Sequence, residues 1–221
     1  MIIAIDGPAG SGKSTVAKML AKHLGFKYLD TGAMYRAITW KALKMGIDLE
    51  DENALCRLAE QTTIEFQGES DVPKIFVDSA DVTEEIRQPF VTNNVHYISN
   101  KQGVRKYMVK LQQKIAAEGN TVAEGRDMGT VVFPQAEKKF FLDAEIGTRS
   151  QRRYKQFKPS DEKVTYYDVV RDIEIRDKRD TMRANSPLVK GDDAIFIDTT
   201  HLTIKDVLDR ITREIKGITK E

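Results

Sequence analysis

Five short apolar runs, each closed by an acidic residue, set the rhythm of the chain: Met1 to Asp6, Phe26 to Asp30, Thr121 to Glu124, Lys139 to Asp143 and Ala194 to Asp198. Runs this short and this continuously apolar are those of strands buried on both faces. The segments between them carry helical periodicity, so the pattern predicts a parallel sheet joined by crossover helices. Helices are expected over Lys13 to Leu24, Ala33 to Met45 and Val104 to Glu118, each stopped by a glycine (Gly25, Gly46, Gly119) placed for the left-handed C-terminal position. Two more are expected from about Tyr166 to Arg183 and from about Ile204 to Lys216. Between residues 62 and 83 the pattern turns to alternation, Thr63-Ile64-Glu65-Phe66 and Lys74-Ile75-Phe76-Val77 around Gly68-Glu69-Ser70-Asp71, which predicts an inserted antiparallel hairpin. The fold class is α/β: a five-stranded parallel sheet flanked by helices, with a small antiparallel sheet in an insertion.

In such sheets ligands bind beyond the carboxyl ends of the strands, so Asp6, Asp30, Glu124, Asp143 and Asp198 fall on the functional rim, unless they only cap the helices that follow. Between the first strand and the first helix stands Gly7-Pro8-Ala9-Gly10-Ser11-Gly12-Lys13-Ser14-Thr15. It reads G-x-x-x-x-G-K-[ST], the phosphate-binding loop of P-loop NTPases, in its strand-then-helix context. Glycines let successive N–H groups turn onto phosphate oxygens at a helix N-terminus. Lys13 would neutralise the β- and γ-phosphates, and the Ser14 hydroxyl would ligate the Mg²⁺ that bridges them. These residues predict a nucleoside triphosphate site.

Composition narrows the setting. Lys+Arg 35 against Asp+Glu 34 leaves a formal charge of +1, so no whole-molecule field calls for a polyanionic partner and any basic site is local. The lone Cys56 excludes an internal disulfide and a cysteine-built metal centre, which suits a reducing compartment, with the cytoplasm as the expected location. The chain opens directly into a strand, and no apolar run approaches the roughly 18 residues of a membrane span. A soluble protein is expected.

A phosphate loop does not choose an acceptor. Leu29-Asp30-Thr31-Gly32-Ala33-Met34-Tyr35-Arg36 closes the second strand and opens a helix, with the Thr31 hydroxyl as cap and Arg36 able to reach a second anion. Ala123 to Thr130 holds Arg126 and Asp127 on a glycine-flanked turn at the rim, a pair costly to desolvate without a partner. Arg149, Arg152, Arg153, Lys155 and Lys158 form a basic run suited to closing over a triphosphate. Arg176, Asp180 and Arg183 recur at helical spacing and share a face, a pattern that by itself is most often an exposed ion-pair ladder.

Gly7 to Thr15, Asp30 to Arg36, Glu124-Gly125-Arg126-Asp127-Met128-Gly129-Thr130-Val131-Val132-Phe133-Pro134, and Arg176 through Arg183 to Ser186-Pro187-Leu188, in this order and spacing, resemble the bacterial cytidylate kinases over nearly the whole chain. The resemblance implies a nucleoside monophosphate kinase fold and transfer of a phosphoryl group from ATP to CMP or dCMP with Mg²⁺. It implies a core at 1–30, 99–148 and 164–221, a monophosphate-binding region with the inserted hairpin at 31–98, and a short lid at 149–163. Arg36, Arg126 and Arg183 would clamp the CMP phosphate, Arg176 with Asp180 would read the sugar hydroxyls, and Arg105 with Asp127 the cytosine. Asp30 and Thr31 lie near the acceptor, and Arg152 and Arg153 in the lid would reach the transferring phosphoryl. Where some members place a small hydroxyl residue beside the base, this sequence has His96, for which a structural or surface role is the plainer reading.

The chemistry of the residues agrees, because phosphoryl transfer needs positioned charge more than a strong general base. A monomer with ATP and CMP or dCMP as its partners, and neither nucleic acid nor membrane, is expected. Two other readings share parts of the pattern: a P-loop kinase of another small acceptor, such as another nucleoside monophosphate or shikimate, and a nucleic-acid-dependent NTPase using the basic run. The first would lack the Gly125 to Thr130 turn and the hairpin. Binding in the second would fall steeply with salt.

Overall fold

A computed structural model describes residues 1–68, 73–156 and 164–216. The expected hairpin turn at 69–71 and the 157–163 part of the expected lid, with Lys158, therefore lie outside the described residues. In chain order the elements are β1 (Ile2–Asp6), α1 (Lys13–Leu24), β2 (Lys27–Asp30), α2 (Thr31–Lys44), α3 (Glu52–Glu60), β3 (Ile64–Gln67), β4 (Lys74–Val77), β5 (Ala80–Asp81), α4 (Pro89–Thr92), α5 (Val95–Asn100), α6 (Gln102–Ala116), β6 (Thr121–Gly125), β7 (Lys138–Asp143), α7 (Ile146–Tyr154), α8 (Tyr166–Met182), β8 (Ile195–Asp198) and α9 (Ile204–Lys216). The five long-range strands form one sheet in the order β2-β6-β1-β7-β8, and the hairpin strands form a second sheet, β3-β4-β5.

The first compact unit comprises 1–28 and 120–221. Its middle strand β1 runs parallel to β6 on one side, with Ile3 opposite Val122, and to β7 on the other, with Ile5 opposite Phe140. The chain therefore leaves β1 between two parallel neighbours, which opens a crevice at its carboxyl end, where the glycine-rich loop begins. Ile3, Ile5, Val122, Phe140 and Leu142 of the sheet pack against Val16, Ala17 and Leu20 of α1 and Val207, Ile211 and Ile215 of α9, all buried. Both faces of β1 are covered, hence the uninterrupted apolar run.

The second compact unit comprises 29–119. It includes α6, which packs against α3 and α5. Ala33, Met34, Ile38, Leu55, Ile75, Val77, Ile98, Val104 and Met108 build its own core. The hairpin pairs antiparallel, Ile64 opposite Val77, and β4 turns through Asp78 and Ser79, both at positive φ, into β5.

Several expectations are corrected. The cap of α2 is Asp30, whose carboxylate accepts from Ala33 N at 2.8 Å, and Thr31 is the first helical residue. A carboxylate one residue earlier reaches the free N–H groups better than the hydroxyl does. Helix α3 and strand β5 lie outside the predicted elements, although Asp51 caps α3 on Ala54 N in plain sequence view. Ala117 closes α6 in right-handed geometry, so Gly119 takes no left-handed role. Finally, α8 ends at Met182 and Arg183 is extended, so Arg176 and Asp180 lie one helical turn apart while Arg183 leaves their face.

Candidate active site

The loop at 7–15 is shaped by what surrounds it. A Cβ on Gly7 would lie 2.0 Å from the Leu142 carbonyl oxygen, and one on Gly10, at φ +78, would lie 2.9 Å from both the Cβ and the carbonyl oxygen of Arg149. Only hydrogen fits where the loop is pressed onto the end of β7 and the first turn of α7. Helix α1 then starts with Gly12 as an N-cap that offers no side-chain acceptor, and no acid stands in its first turn. Its terminal N–H groups and positive dipole end are left for an outside anion. Ser11, fully buried, also has a hydroxyl without a hydrogen-bond partner. Ala9 and Gly10 form the turn that follows Pro8, and Thr15 lies exposed on the first turn of α1.

Lys13 is 6% exposed, donates to the Pro8 carbonyl at 3.2 Å and stands 3.9 Å from Glu124 at the end of β6. Burial, and then the positive charge of Arg126, push its ammonium down to about 7 against the weaker pull of Glu124. The Ser14 hydroxyl donates to Glu124 Oε1 at 2.6 Å, and Tyr28 reaches the same oxygen at 3.2 Å. No cluster of three or more His, Cys, Asp or Glu side chains suited to a metal occurs among the described residues. Mg²⁺ ordinarily takes one or two protein oxygens and completes its shell with phosphate and water, so the hard oxygens of Ser14 and Glu124 fit it.

After β6 the chain makes one wide turn of π-helix, Met128–Val132. Asp6, at the end of β1, holds its start by accepting from Met128 N and Gly129 N, both at 2.8 Å. Burial raises the Asp6 carboxyl to about 6 despite those two bonds. Next to the turn, Lys139 donates to the Pro134 carbonyl at 2.7 Å and to Asp193 at 2.6 Å. Arg126 Nε donates to Asp180 on α8 at 2.7 Å. Burial works against both charges, yet each is outweighed by the other: Arg126 is shifted up and Asp180 down. Arg183, beyond α8, lies 3.6 Å from Asp127 and donates to the Ser186 carbonyl. Arg176 contributes positive charge at both Lys13 and Asp180. The first unit thus gathers Lys13, Ser14, Arg126, Asp127, Arg176, Asp180 and Arg183, together with Glu124 and Asp6, which the sequence places on the rim without a role.

In the second unit, Arg36 donates to Asp30 at 3.1 Å, one and a half turns along α2. Arg105, 4% exposed, donates to the Ser99 carbonyl at 3.3 Å and lies 5.5 Å over the Tyr35 ring. His96 Nδ1 lies 3.0 Å from the Asn93 carbonyl and its ring 4.1 Å from that of Tyr97, contacts local to α5.

The basic run divides. Arg152 donates to the Thr199 carbonyl at 2.6 Å and Arg153 to Gln156 at 2.8 Å. Arg149 is buried against the loop; its signal in the sequence is its position six residues after the strand-ending Asp143, inside the run and indistinguishable from it.

A glycine-rich loop at the carboxyl end of the middle strand, with an uncapped helix, a buried lysine and Arg126, Arg176 and Arg183 in the same unit, defines a P-loop kinase. Sequence similarity makes the class narrower. The family model for cytidylate kinase matches residues 3–217. A cytidylate kinase of Caldanaerobacter subterraneus is 49% identical over 99% of this chain and 96% of its own length, and one of Enterococcus faecalis is 50% identical over 97% and 95%. The chain belongs to the cytidylate kinase family. Among solved structures, TT1252 from Thermus thermophilus superposes with a TM-score of 0.53 at 15% identity, covering 100% of this chain and 98% of that one, a likeness of fold alone.

Proposed function

We propose that this enzyme transfers the γ-phosphoryl group of ATP to CMP or dCMP, giving ADP and CDP or dCDP. The observation that carries the reading, beside the family, is the electrostatics of the first unit: Lys13 is buried under the opposing charges of Arg126 and Glu124, and its ammonium is held near 7, so that a further anion would restore its charge. Phosphates supply that anion. They would meet the N–H groups of 10–14, the Lys13 ammonium and the free Ser11 hydroxyl, and Mg²⁺ held through Ser14 would neutralise the β- and γ-oxygens.

Acceptor binding falls to Arg36, Arg126 and Arg183 on the monophosphate, Arg176 and Asp180 on the sugar, and Arg105 with Asp127 on the base. Carboxylates now paired with these arginines, Asp30, Asp180 and Asp127, keep the guanidiniums ordered before the phosphate arrives. The CMP phosphate is itself the nucleophile and is anionic at neutral pH, so no group of the chain has to remove a proton. Residues 31–98 form the monophosphate-binding region and 149–163 the lid, with Arg152 and Arg153 nearest the transferring group; excluding water there prevents hydrolysis of ATP. A monomer in the cytoplasm completes the reading.

An ADP-release assay across CMP, dCMP, UMP, AMP and shikimate tests it. Turnover should be greatest with CMP and dCMP. Cytosine offers an amino donor and an acceptor N3 where uracil offers the reverse, so Asp127→Asn should narrow the CMP over UMP ratio of kcat/KM by roughly 1 to 3 kcal/mol, mainly by losing CMP activity. An unchanged ratio with a collapse in ATP affinity would move Asp127 to the metal.

A further inference from the structure

Arg149 occupies the densest polar node of the first unit, and phosphoryl transfer does not call on it. It is 7% exposed. Its Nε donates to the Ala144 carbonyl at 2.8 Å, and its Nη1 donates both to the Ala9 carbonyl at 3.2 Å and to Asp177 Oδ2 at 2.6 Å. Asp143 stands 3.7 Å from Nε. The same residue's Cβ and carbonyl oxygen form the floor under Gly10. One side chain therefore touches the end of β7, the bend of the phosphate loop and helix α8.

The cost of this arrangement shows at Asp177. Burial raises its carboxyl in spite of Arg149, and its second oxygen, Oδ1, is buried without a hydrogen-bond partner. A largely buried pair with an unsatisfied oxygen is a weak stabilising device, since a well-packed apolar pair of similar volume is often as stable or more so. What an apolar pair cannot do is hold the Ala9 carbonyl. The other anchors of loop residues 8–10 fall on Pro8, whose carbonyl accepts from Ser11 N at a long 3.4 Å and from Lys13 Nζ at 3.2 Å; the Ser11 hydroxyl bonds nothing. If the Ala9 carbonyl rotates, the N–H of the next residue rotates with it, because the peptide unit is planar. That N–H belongs to Gly10, one of those meant for phosphate.

We propose that Arg149 is a positioning residue for the donor nucleotide: braced by Asp177, it fixes the Ala9–Gly10 peptide so that its N–H faces the triphosphate before ATP arrives. It touches no substrate. The inference rests on ATP binding at the 7–15 loop, and the wild-type acceptor panel tests that reading separately.

The decisive variant is Asp177→Asn, which keeps the shape and removes the brace's charge. Asp177 sits on α8 between Arg176 and Asp180, assigned to the CMP sugar, so a mere disturbance of α8 would raise the KM for CMP. Positioning of the loop predicts the opposite split: a KM for ATP raised about tenfold with that for CMP within about twofold, and faster amide exchange at 9–12 in the free enzyme. Arg149→Met with Asp177→Leu is the second variant, removing both charges at similar volume. It should melt at or above the wild-type temperature yet keep the raised KM for ATP. Should it regain both stability and ATP affinity, or should Asp177→Asn leave the KM for ATP unchanged or raise only that for CMP, the proposal is wrong and the pair is structural.

Discussion

Lys13 is the side chain on which burial and charge act most directly. Held at about 7 in the free protein, it is only about one-tenth protonated at pH 8, and the negative phosphates of a bound nucleotide would return it toward the ordinary lysine range. Binding of Mg²⁺ with an ATP analogue at pH 8 should therefore take up about 0.9 proton per site, read as a dependence of the calorimetric enthalpy on buffer ionisation enthalpy. At pH 6 the lysine is already charged and its share of the uptake should all but vanish; Lys13→Met should lack that share, so that its proton balance no longer gains the extra uptake at pH 8. Asp6 gives the complementary case. Its carboxyl is raised from 3.8 to about 6, so the folded state holds the proton more tightly and stability rises as pH falls through 6, being lost again on the way up. Relative to Asp6→Asn, the wild type should gain about 2 kcal/mol in urea unfolding between pH 7.5 and 4.5, since each tenfold difference in proton affinity between the folded and unfolded chain is worth about 1.4 kcal/mol. An equal pH slope in the two proteins would mean that Asp6 is not titrating against burial.

At the scale of elements, the strands and the loop were legible because they obey local rules. A run buried on both faces is apolar throughout, and the G-x-x-x-x-G-K-[ST] spacing has one purpose. Helix α8 was legible at its start for a related reason: Thr165 and Asp168 form a reciprocal capping box, each side chain bonded to the other's backbone N–H. Removing it with Thr165→Ala should cost about 1 kcal/mol in thermal or urea unfolding. Because Arg176, Asp177 and Asp180 lie more than two turns downstream, KM for either substrate should not move. What could not be read were features set by distant partners. Arg149 looks like its neighbours Arg152 and Arg153 until the fold places Ala9 and Asp177 beside it. Asp6 and Glu124 look like strand-ending acids until β1 and β6 pair and set them against the 128–129 amides and the Ser14 hydroxyl. The candidate site residues came from spacing in four separate motifs and from family resemblance, since no local rule joins Arg36 to Arg126 across ninety residues.

For the whole molecule the question is how two compact units serve one reaction. The glycine-rich loop and Arg126, Asp127, Arg176, Asp180 and Arg183, proposed above for the acceptor, belong to the first, while Arg36 and Arg105, proposed for the same substrate, belong to the second. If both arginine sets bind CMP, ligands should reveal the division by which backbone they protect. An ATP analogue alone should slow hydrogen exchange in the loop at 8–14 and the first turn of α1, and leave α2 and α6 unaffected. CMP alone should protect the turn at 126–132 in the first unit together with the start of α2 and of α6 in the second. A bisubstrate analogue joining the two nucleotides should protect all of these segments and, at a hundred times its Kd, stabilise the protein by about 2.7 kcal/mol, because it binds only the folded chain. Protection by CMP confined to the first unit would remove Arg36 and Arg105 from the acceptor site and leave the base to be read by Asp127 alone. The Arg36→Ala variant sharpens the outcome: it should abolish CMP protection in the second unit and raise the KM for CMP far more than that for ATP.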